Sequence, residues 1–240
     1  MLLLHAMVFL FLVSCRSKDN SNKSMASPVT HQSIQDAFTS QALYINEEGP
    51  VLQGGAAILE FLKARPFTED SAQIFFNTPA IGDSSLVYEI GSIQSSDKKH
   101  YTVLRIMKSE AGTKKTEMEY IAASTDTQVD TNGISQRRAE WMRLCNLHNA
   151  FQLVSTMYTR DAIYFNHKPI VVGTESIAKE YGYMNSPNYS LQLLPLYVKP
   201  VTDSLIYEIG QCRGTYGGKY ILIWKKDKDG KWMVWVDSNI

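Results

Sequence analysis

Cysteine is scarce: three in 240 residues, at 15, 145 and 212. That is far too few for a disulfide scaffold. An excess of either charge is also missing. Lys+Arg and Asp+Glu both total 24, so there is no net basic field of the kind that neutralises phosphates, and nucleic acid is not an expected partner. No Gly-x-x-x-x-Gly-Lys loop, Gly-x-Ser-x-Gly elbow or His-Glu-x-x-His helix occurs. The five histidines (5, 31, 100, 148 and 167) show no metal-ligand spacing, and His167 sits in a turn between Asn166 and Lys168. Neither a metal nor a cofactor is expected. What remains is 44% hydrophobic and 11% aromatic residues, enough for a core and well away from disorder.

The one long apolar run is Met1 to Val13, broken only by His5. As a helix it rises about 20 Å, too short for a bilayer core of about 30 Å but suited to the h-region of a secretory signal. It ends in Leu12-Val13-Ser14-Cys15, which resembles the lipobox of bacterial lipoproteins; the n-region departs from the pattern in lacking Lys or Arg. The resemblance implies lipidation of Cys15, a membrane-lipid partner and a place at the bacterial cell envelope, the outer membrane or cell surface more than the inner membrane. Residues 16–27 read as a polar tether. Cys145 and Cys212 then remain as a disulfide pair or as two buried thiols.

The chain repeats itself. Ser85-Leu86-Val87-Tyr88-Glu89-Ile90-Gly91 matches Ser204-Leu205-Ile206-Tyr207-Glu208-Ile209-Gly210 at every position but Val against Ile. Pro50, Gly54 and Ile58 match Pro169, Gly173 and Ile177 at the same offset, and Ala42–Asn46 matches Ala162–Asn166 one residue further on. A repeat of this length implies two copies of one domain, residues 28–126 and 134–240, joined by a polar link at 125–133. A constant offset sets Arg105 at the place of Trp224.

In the second copy Leu144, Leu147, Phe151, Val154 and Tyr158 recur at helical spacing. They predict one helix over 135–157 with His148 and Ser155 beside its apolar stripe. A strand at 162–166, a turn at 169–173 and a short helix from Glu175, capped by Thr174, follow. Segments 191–198, 204–213, 218–226 and 231–238 alternate apolar and polar residues as strands, with a hairpin at Lys228-Asp229-Gly230. In the first copy the opening helix shrinks to 33–38. The order is α+β, helices on one face of a curved antiparallel sheet.

Asp161 to Phe165, Pro169, Gly173 to Ile177, Tyr207 to Gly210 and Lys228 to Trp232, in this order, resemble SnoaL-like domains of the NTF2-like superfamily. The likeness covers most of 137–240 and less of the first copy, where Ala111 to Lys114 replace the tryptophan hairpin. It implies two tandem NTF2-like (cystatin-like) cones, each with an apolar pocket at its wide end. It also implies that the copies pair through their sheets, as an intramolecular pseudo-dimer or in a homodimer. Such folds serve as isomerases, cyclases and dehydratases and as non-catalytic binding modules, so the site must decide.

The enzymes need a carboxylate or histidine inside the pocket. Asp237, after the tryptophan strand, and His148, beside the helix stripe, are the catalytic candidates; their alternatives are a solvated strand end and a half-buried structural histidine. Tyr158, Tyr164 and Trp224 are expected to line a drug-sized cavity that takes a small apolar ligand. Tyr207 and Arg213 join them if their sheet face is the concave one. Asp161 reads as a turn residue, and Glu89 and Glu208, present in both copies, as servants of the fold. A non-catalytic module binding an apolar ligand or a protein is the first reading, and general acid–base catalysis in the second copy the other.

Overall fold

The computed structural model describes residues 37–64, 69–95, 98–125 and 129–240. The expected signal, Cys15, the tether and residues 33–36 of the expected stub lie outside the described residues. The first half contains β1 (Phe38–Asn46), β2 (Val51–Gln53), α1 (Gly55–Ala64), β3 (Glu69–Pro79), β4 (Leu86–Ser95), β5 (His100–Glu110) and β6 (Thr113–Ala123). The second contains α2 (Asn132–Cys145), α3 (Ala150–Met157), β7 (Tyr158–Phe165), β8 (Val171–Val172) and α4 (Thr174–Glu180), then a 3₁₀ turn (Tyr181–Asn185). β9 (Leu191–Thr202), β10 (Leu205–Gly214), β11 (Lys219–Lys226) and β12 (Trp232–Ser238) complete it.

Each half builds a six-stranded sheet, and the strand orders correspond: β2-β1-β6-β5-β4-β3 and β8-β7-β12-β11-β10-β9. All pairs are antiparallel except β1 with β6 and β7 with β12. The irregularities coincide too, with register shifts between Ile106 and Met107 in one half and Ile223 and Trp224 in the other. The fold is therefore two tandem α+β units. The register also corrects the constant offset. Val87 pairs with Met107 where Ile206 pairs with Trp224, so Met107, not Arg105, holds the place of Trp224.

The repeated Tyr-Glu-Ile-Gly now has a physical reading. Successive strand residues point to opposite faces. Tyr88 and Ile90, with Tyr207 and Ile209, enter a core shared by the two sheets. The same face serves in both units: Leu43, Leu104 and Ile106 match Ile163, Ile221 and Ile223 in that core. Tyr207 Oη donates to the Thr102 carbonyl (3.4 Å), and Tyr88 Oη to the carbonyl of Ile240, each tyrosine bonding the other unit. Tyr120 meets the Tyr207 and Trp235 rings edge-on at 5.0 and 5.6 Å.

The glutamate and glycine serve the other face. Glu208 is fully buried. Its carboxylate accepts from Arg138 of α2 at 2.6 and 2.9 Å, from Tyr220 Oη at 2.6 Å and from Trp224 Nε1 at 2.9 Å. A Cβ on Gly210 would lie 2.1 Å from the Tyr220 ring, so only glycine lets that ring lie flat across β10 and reach the glutamate. Around this ion pair α2, α3 and α4 pack on the second sheet through Trp141, Leu144, Leu153, Val154, Met157 and Ile177.

The single helix predicted over 135–157 is broken. Asn146 to Asn149 separate α2 from α3, Asn149 caps α3 by accepting from Gln152 N (2.9 Å), and His148 stands at φ +57°. Asn and His are weak helix formers, and Asn offers the backbone a cap instead. Leu147 and Phe151, assigned to the stripe, are 52% and 66% exposed. Tyr158 starts β7 rather than ending a helix, α2 begins inside the expected link, Thr174 makes no side-chain cap, and Phe38 starts β1. Cys145 and Cys212 are free buried thiols.

A buried carboxylate that loses its cation is costly. Arg138→Met should destabilise the chain by about 3 to 5 kcal/mol. Replacing both partners, Arg138→Met with Glu208→Leu, should cost less than the single change, because no uncompensated charge stays behind. Urea unfolding of the parent and of the two variants measures both.

Candidate functional site

The helix-side face of the second sheet carries a row of neighbours across four strands: Glu208, Leu222, Asp237 and Tyr164. The register sets Glu89, Arg105, Glu119 and Tyr44 in the corresponding row of the first unit. The two rows handle their second acid differently. In the first unit Arg105 Nε lies 2.5 Å from Glu119 Oε2, an ion pair in the middle of the row. In the second unit leucine stands where that arginine would be. Asp237 keeps its carboxyl buried, with no ion pair to it among the described residues.

Two hydroxyls hold it instead. Tyr158 Oη donates to Asp237 Oδ2 at 2.5 Å, and Tyr181 Oη donates to the same oxygen. Trp141 Nε1 donates in turn to Tyr158 Oη at 3.0 Å. In the first unit the place of Tyr158 is taken by Phe38, and the ring packed on Tyr44 is Phe61, so neither hydroxyl has a counterpart. Burial raises the Asp237 pKa and outweighs the two hydrogen bonds that lower it, leaving it at about 6. Burial and then the carboxylate's charge push the Tyr158 and Tyr181 hydroxyls far above the usual tyrosine range, so both remain donors.

Asp237 lines a cavity with Trp141, Tyr181, Met184, Tyr189, Cys212 and Tyr220. Its free volume is 20 Å³, room for one water-sized body. The drug-sized cavity expected from sequence is thus closed down, by the 181–185 turn and its aromatic ladder. Tyr181 meets Tyr164 and Tyr183 edge-on, and Tyr183 meets Tyr189.

The sequence candidates separate cleanly. Asp237 and Tyr158 come together. Tyr164 stands beside them on the row, packed on Tyr181 and donating to Asn239 Oδ1 at 2.6 Å. Trp224 faces the same side of the sheet but is spent on Glu208 and does not line the cavity. Tyr207 is on the opposite face, in the core between the sheets, because the helix side proves to be the glutamate face. Arg213 is exposed near the end of β10. His148 lies in the α2–α3 break and not at the cavity; its Nδ1 is buried without a hydrogen-bond partner among the described residues. Tyr181 and Trp141 were not singled out from sequence. Trp141 lies three residues before Leu144 and Tyr181 follows the last residue of α4, positions whose spacing carries no signal beyond core packing.

No family model and no curated protein matches the chain. Solved structures do. An NTF-2-like protein of unknown function from Shewanella oneidensis MR-1 aligns with a TM-score of 0.40 and 14% identity over 45% of this chain and 97% of its own. A domain of unknown function with a cystatin-like fold from Nostoc punctiforme aligns at 0.39 and 14% over 46% of this chain and 75% of its own. A ketosteroid isomerase-like protein from Erwinia carotovora aligns at 0.36 and 15%, over 45% and 93%. At such identities the likeness is one of fold, and each alignment spans about the length of one of the two units.

Proposed function

We propose that this chain is an envelope-anchored binding module built of two NTF2-like domains, held by a lipid on Cys15. Its second unit takes a small, largely apolar molecule whose one polar group sets against Asp237. The observation that carries this reading is the uncompensated carboxylate at the cavity wall, held by two tyrosine hydroxyls where the first unit has an arginine ion pair. Burying a charge without a counter-charge is unfavourable for a fold. A ligand that donates to the carboxylate, or accepts from it when protonated, recovers that cost. Entry requires the 181–185 turn to swing out, because the closed cavity holds only 20 Å³.

A second reading is acid–base catalysis of the isomerase, cyclase or dehydratase kind, and one observation favours it. A carboxyl with a pKa of about 6 gains and loses protons readily near neutrality, which is what a general acid or base must do. Tyr158 and Tyr181 then steady the carboxyl and supply hydroxyl donors next to it. Titration of tryptophan fluorescence with steroids, polyketides and fatty acids tests the binding reading. Asp237→Asn should weaken a responding ligand by about tenfold, the loss of one charge-assisted hydrogen bond. No response to any of them removes the reading.

The anchor is tested apart from the pocket. Cys15→Ala should abolish incorporation of a fatty-acid analogue and release the chain from the membrane fraction. Asp237 also makes stability depend on pH. The folded carboxyl titrates at about 6 and the unfolded one near 3.8, so the folded state binds the additional proton between them. The contribution of Asp237 is then fully present below pH 3.8 and is lost as the pH rises through about 6, by roughly 3 kcal/mol in all. Asp237→Asn keeps the shape without the charge. It should remove this slope and leave the variant more stable than the parent at neutral pH. Urea unfolding across this range is the measurement, and equal slopes would mean that Asp237 ionises normally.

A further inference from the structure

The α2–α3 break turns apolar side chains out of the core. Leu147 and Phe151 continue the spacing of Leu144 and Val154, and an unbroken helix would set all four against the sheet. Instead His148 at φ +57° and the cap at Asn149 carry Leu147 and Phe151 into solvent, 52% and 66% exposed. Asn146 fixes the break to the start of β9: its side chain donates to the Leu191 carbonyl (3.1 Å) and accepts from Leu191 N (3.0 Å). Asn185 Oδ1 accepts from Ala150 N (2.8 Å) and so brings the 181–185 turn alongside. On that turn Tyr183 is 49% exposed. Three large apolar side chains thus stand on two adjoining segments, at the turn that closes the Asp237 cavity.

The same two segments lack charge. Asp, Glu, Lys and Arg make up 20% of the chain, yet residues 144–159 and 181–198 contain none. Their exposed polar residues are uncharged, Asn146, Asn149, Gln152, Asn185 and Asn188 among them. The fold does not ask for this. Gly54 and Gly173 precede α1 and α4, and Phe76 and Tyr197 pair with Ile90 and Ile209, so the path between those points is the same in both units. In the first unit the stretch that answers 181–198 carries Lys63, Arg65, Glu69 and Asp70.

We propose that this surface docks on a lipid bilayer, with Leu147, Phe151 and Tyr183 set into the outer edge of the hydrocarbon and the asparagines at the level of the headgroups. The absence of charge selects the occupant. Water accepts exposed charges, and a protein partner uses them at the rim of its interface to steer and to select. A bilayer penalises every charge carried into it. Tyrosine, with an apolar ring and a polar tip, suits the boundary between the two. A contiguous apolar patch without charge is the mark of such a contact. A chain held by a lipid on Cys15 has a bilayer at hand, because the stretch from Cys15 to Ala37 can span up to about 70 Å. In that one respect the inference rests on the anchored reading above. Docking sets the 181–185 turn against lipid, so the molecule taken up beside Asp237 comes from the membrane: an amphiphile with one polar group.

The test places an environment-sensitive dye on single introduced cysteines, in the full chain carrying Cys15→Ala. Cys145 and Cys212 are buried and stay unlabelled. Phe151→Cys and Tyr183→Cys report from the surface. Asp229→Cys reports from the exposed β11–β12 turn, at the end of the strands away from the start of β9. Phosphatidylcholine vesicles should brighten and blue-shift the labels at 151 and 183 and leave the label at 229 unchanged. Anything the first residues do in lipid acts on all three labels and drops out of the comparison. The response should hold from about 0.05 to about 0.5 M salt, since no charge carries it. Leu147→Glu, at an exposed position, should weaken it about tenfold, the effect of one charge brought against lipid. The proposal is overturned if neither surface label responds, if the label at 229 responds alike, or if Leu147→Glu changes nothing. A response that needs no vesicles and grows with protein concentration makes a second copy the occupant and overturns it equally. Because Cys15→Ala is present throughout, failure of the anchor is read separately, from the fatty-acid incorporation above.

Discussion

Everything in this molecule follows from the decision to bury one face of each sheet against the other. Leu86, Tyr88, Ile90, Leu104 and Ile106 meet Leu205, Tyr207, Ile209, Ile221 and Ile223 in one continuous core. A large side chain fully buried contributes about 1.5 to 3 kcal/mol, so a core of this extent outweighs any local contact in the chain. Once those faces are committed, each sheet has only its other face for helices and chemistry. In the second unit that face receives three helices and the Glu208 ion pair. In the first, α1 contributes Ile58, Phe61 and Leu62 to a smaller cluster with Tyr44, Val103 and Ile121.

The two rows of four residues show what duplication frees. Glu89, Arg105 and Glu119 form a sequence of acid, base, acid whose charges answer one another on the sheet itself. The second unit moves the cation off the sheet. Arg138 on a helix answers Glu208, and leucine replaces the arginine between the acids. The consequence reaches one strand further: among the described residues Asp237 has no counter-charge, and two tyrosine hydroxyls hold it. A hydroxyl bond stabilises a carboxylate less than an ion pair of the same length. The raised pKa of Asp237 is therefore a result of where the arginine was placed, and it is built into the second unit alone.

How much of this the sequence displays depends on the distance over which each feature is decided. The strands and the repeat were legible because a period of two and an identical heptapeptide are local patterns. Asp237 was legible as a candidate because it follows the tryptophan strand of the hairpin, and Tyr158 because it continues an apolar stripe, although it starts β7 and not the end of a helix. The concave face was not legible: Tyr207 and Glu208 are adjacent residues, and only the partner sheet decides which of them meets the helices. Arg105 was misplaced beside Trp224 for a related reason. The hairpin between β4 and β5 closes with a register different from that between β10 and β11, and a constant offset cannot follow it. His148 was drawn onto a continuous helix, where the cap at Asn149 stops α2 and α3 from joining.

The same comparison makes the charge-free surface visible. Read alone, residues 144–159 are a helical stripe and 181–198 a turn running into a strand. Neither holds a motif that marks it. What marks them is the stretch that answers 181–198 in the other unit, where Lys63, Arg65, Glu69 and Asp70 stand. A duplicated fold carries its own reference: the first unit shows what packing alone requires. Large apolar side chains in water and a buried carboxylate without a counter-charge are departures from that requirement, and they persist only when something outside simple packing compensates for them. In the second unit's cavity the compensation runs through two tyrosines; at the turn that closes it, the compensation falls to a bilayer. Both departures therefore depend on the face-to-face core. It alone leaves the helix side of the second sheet free to carry an exposed break above an enclosed acid.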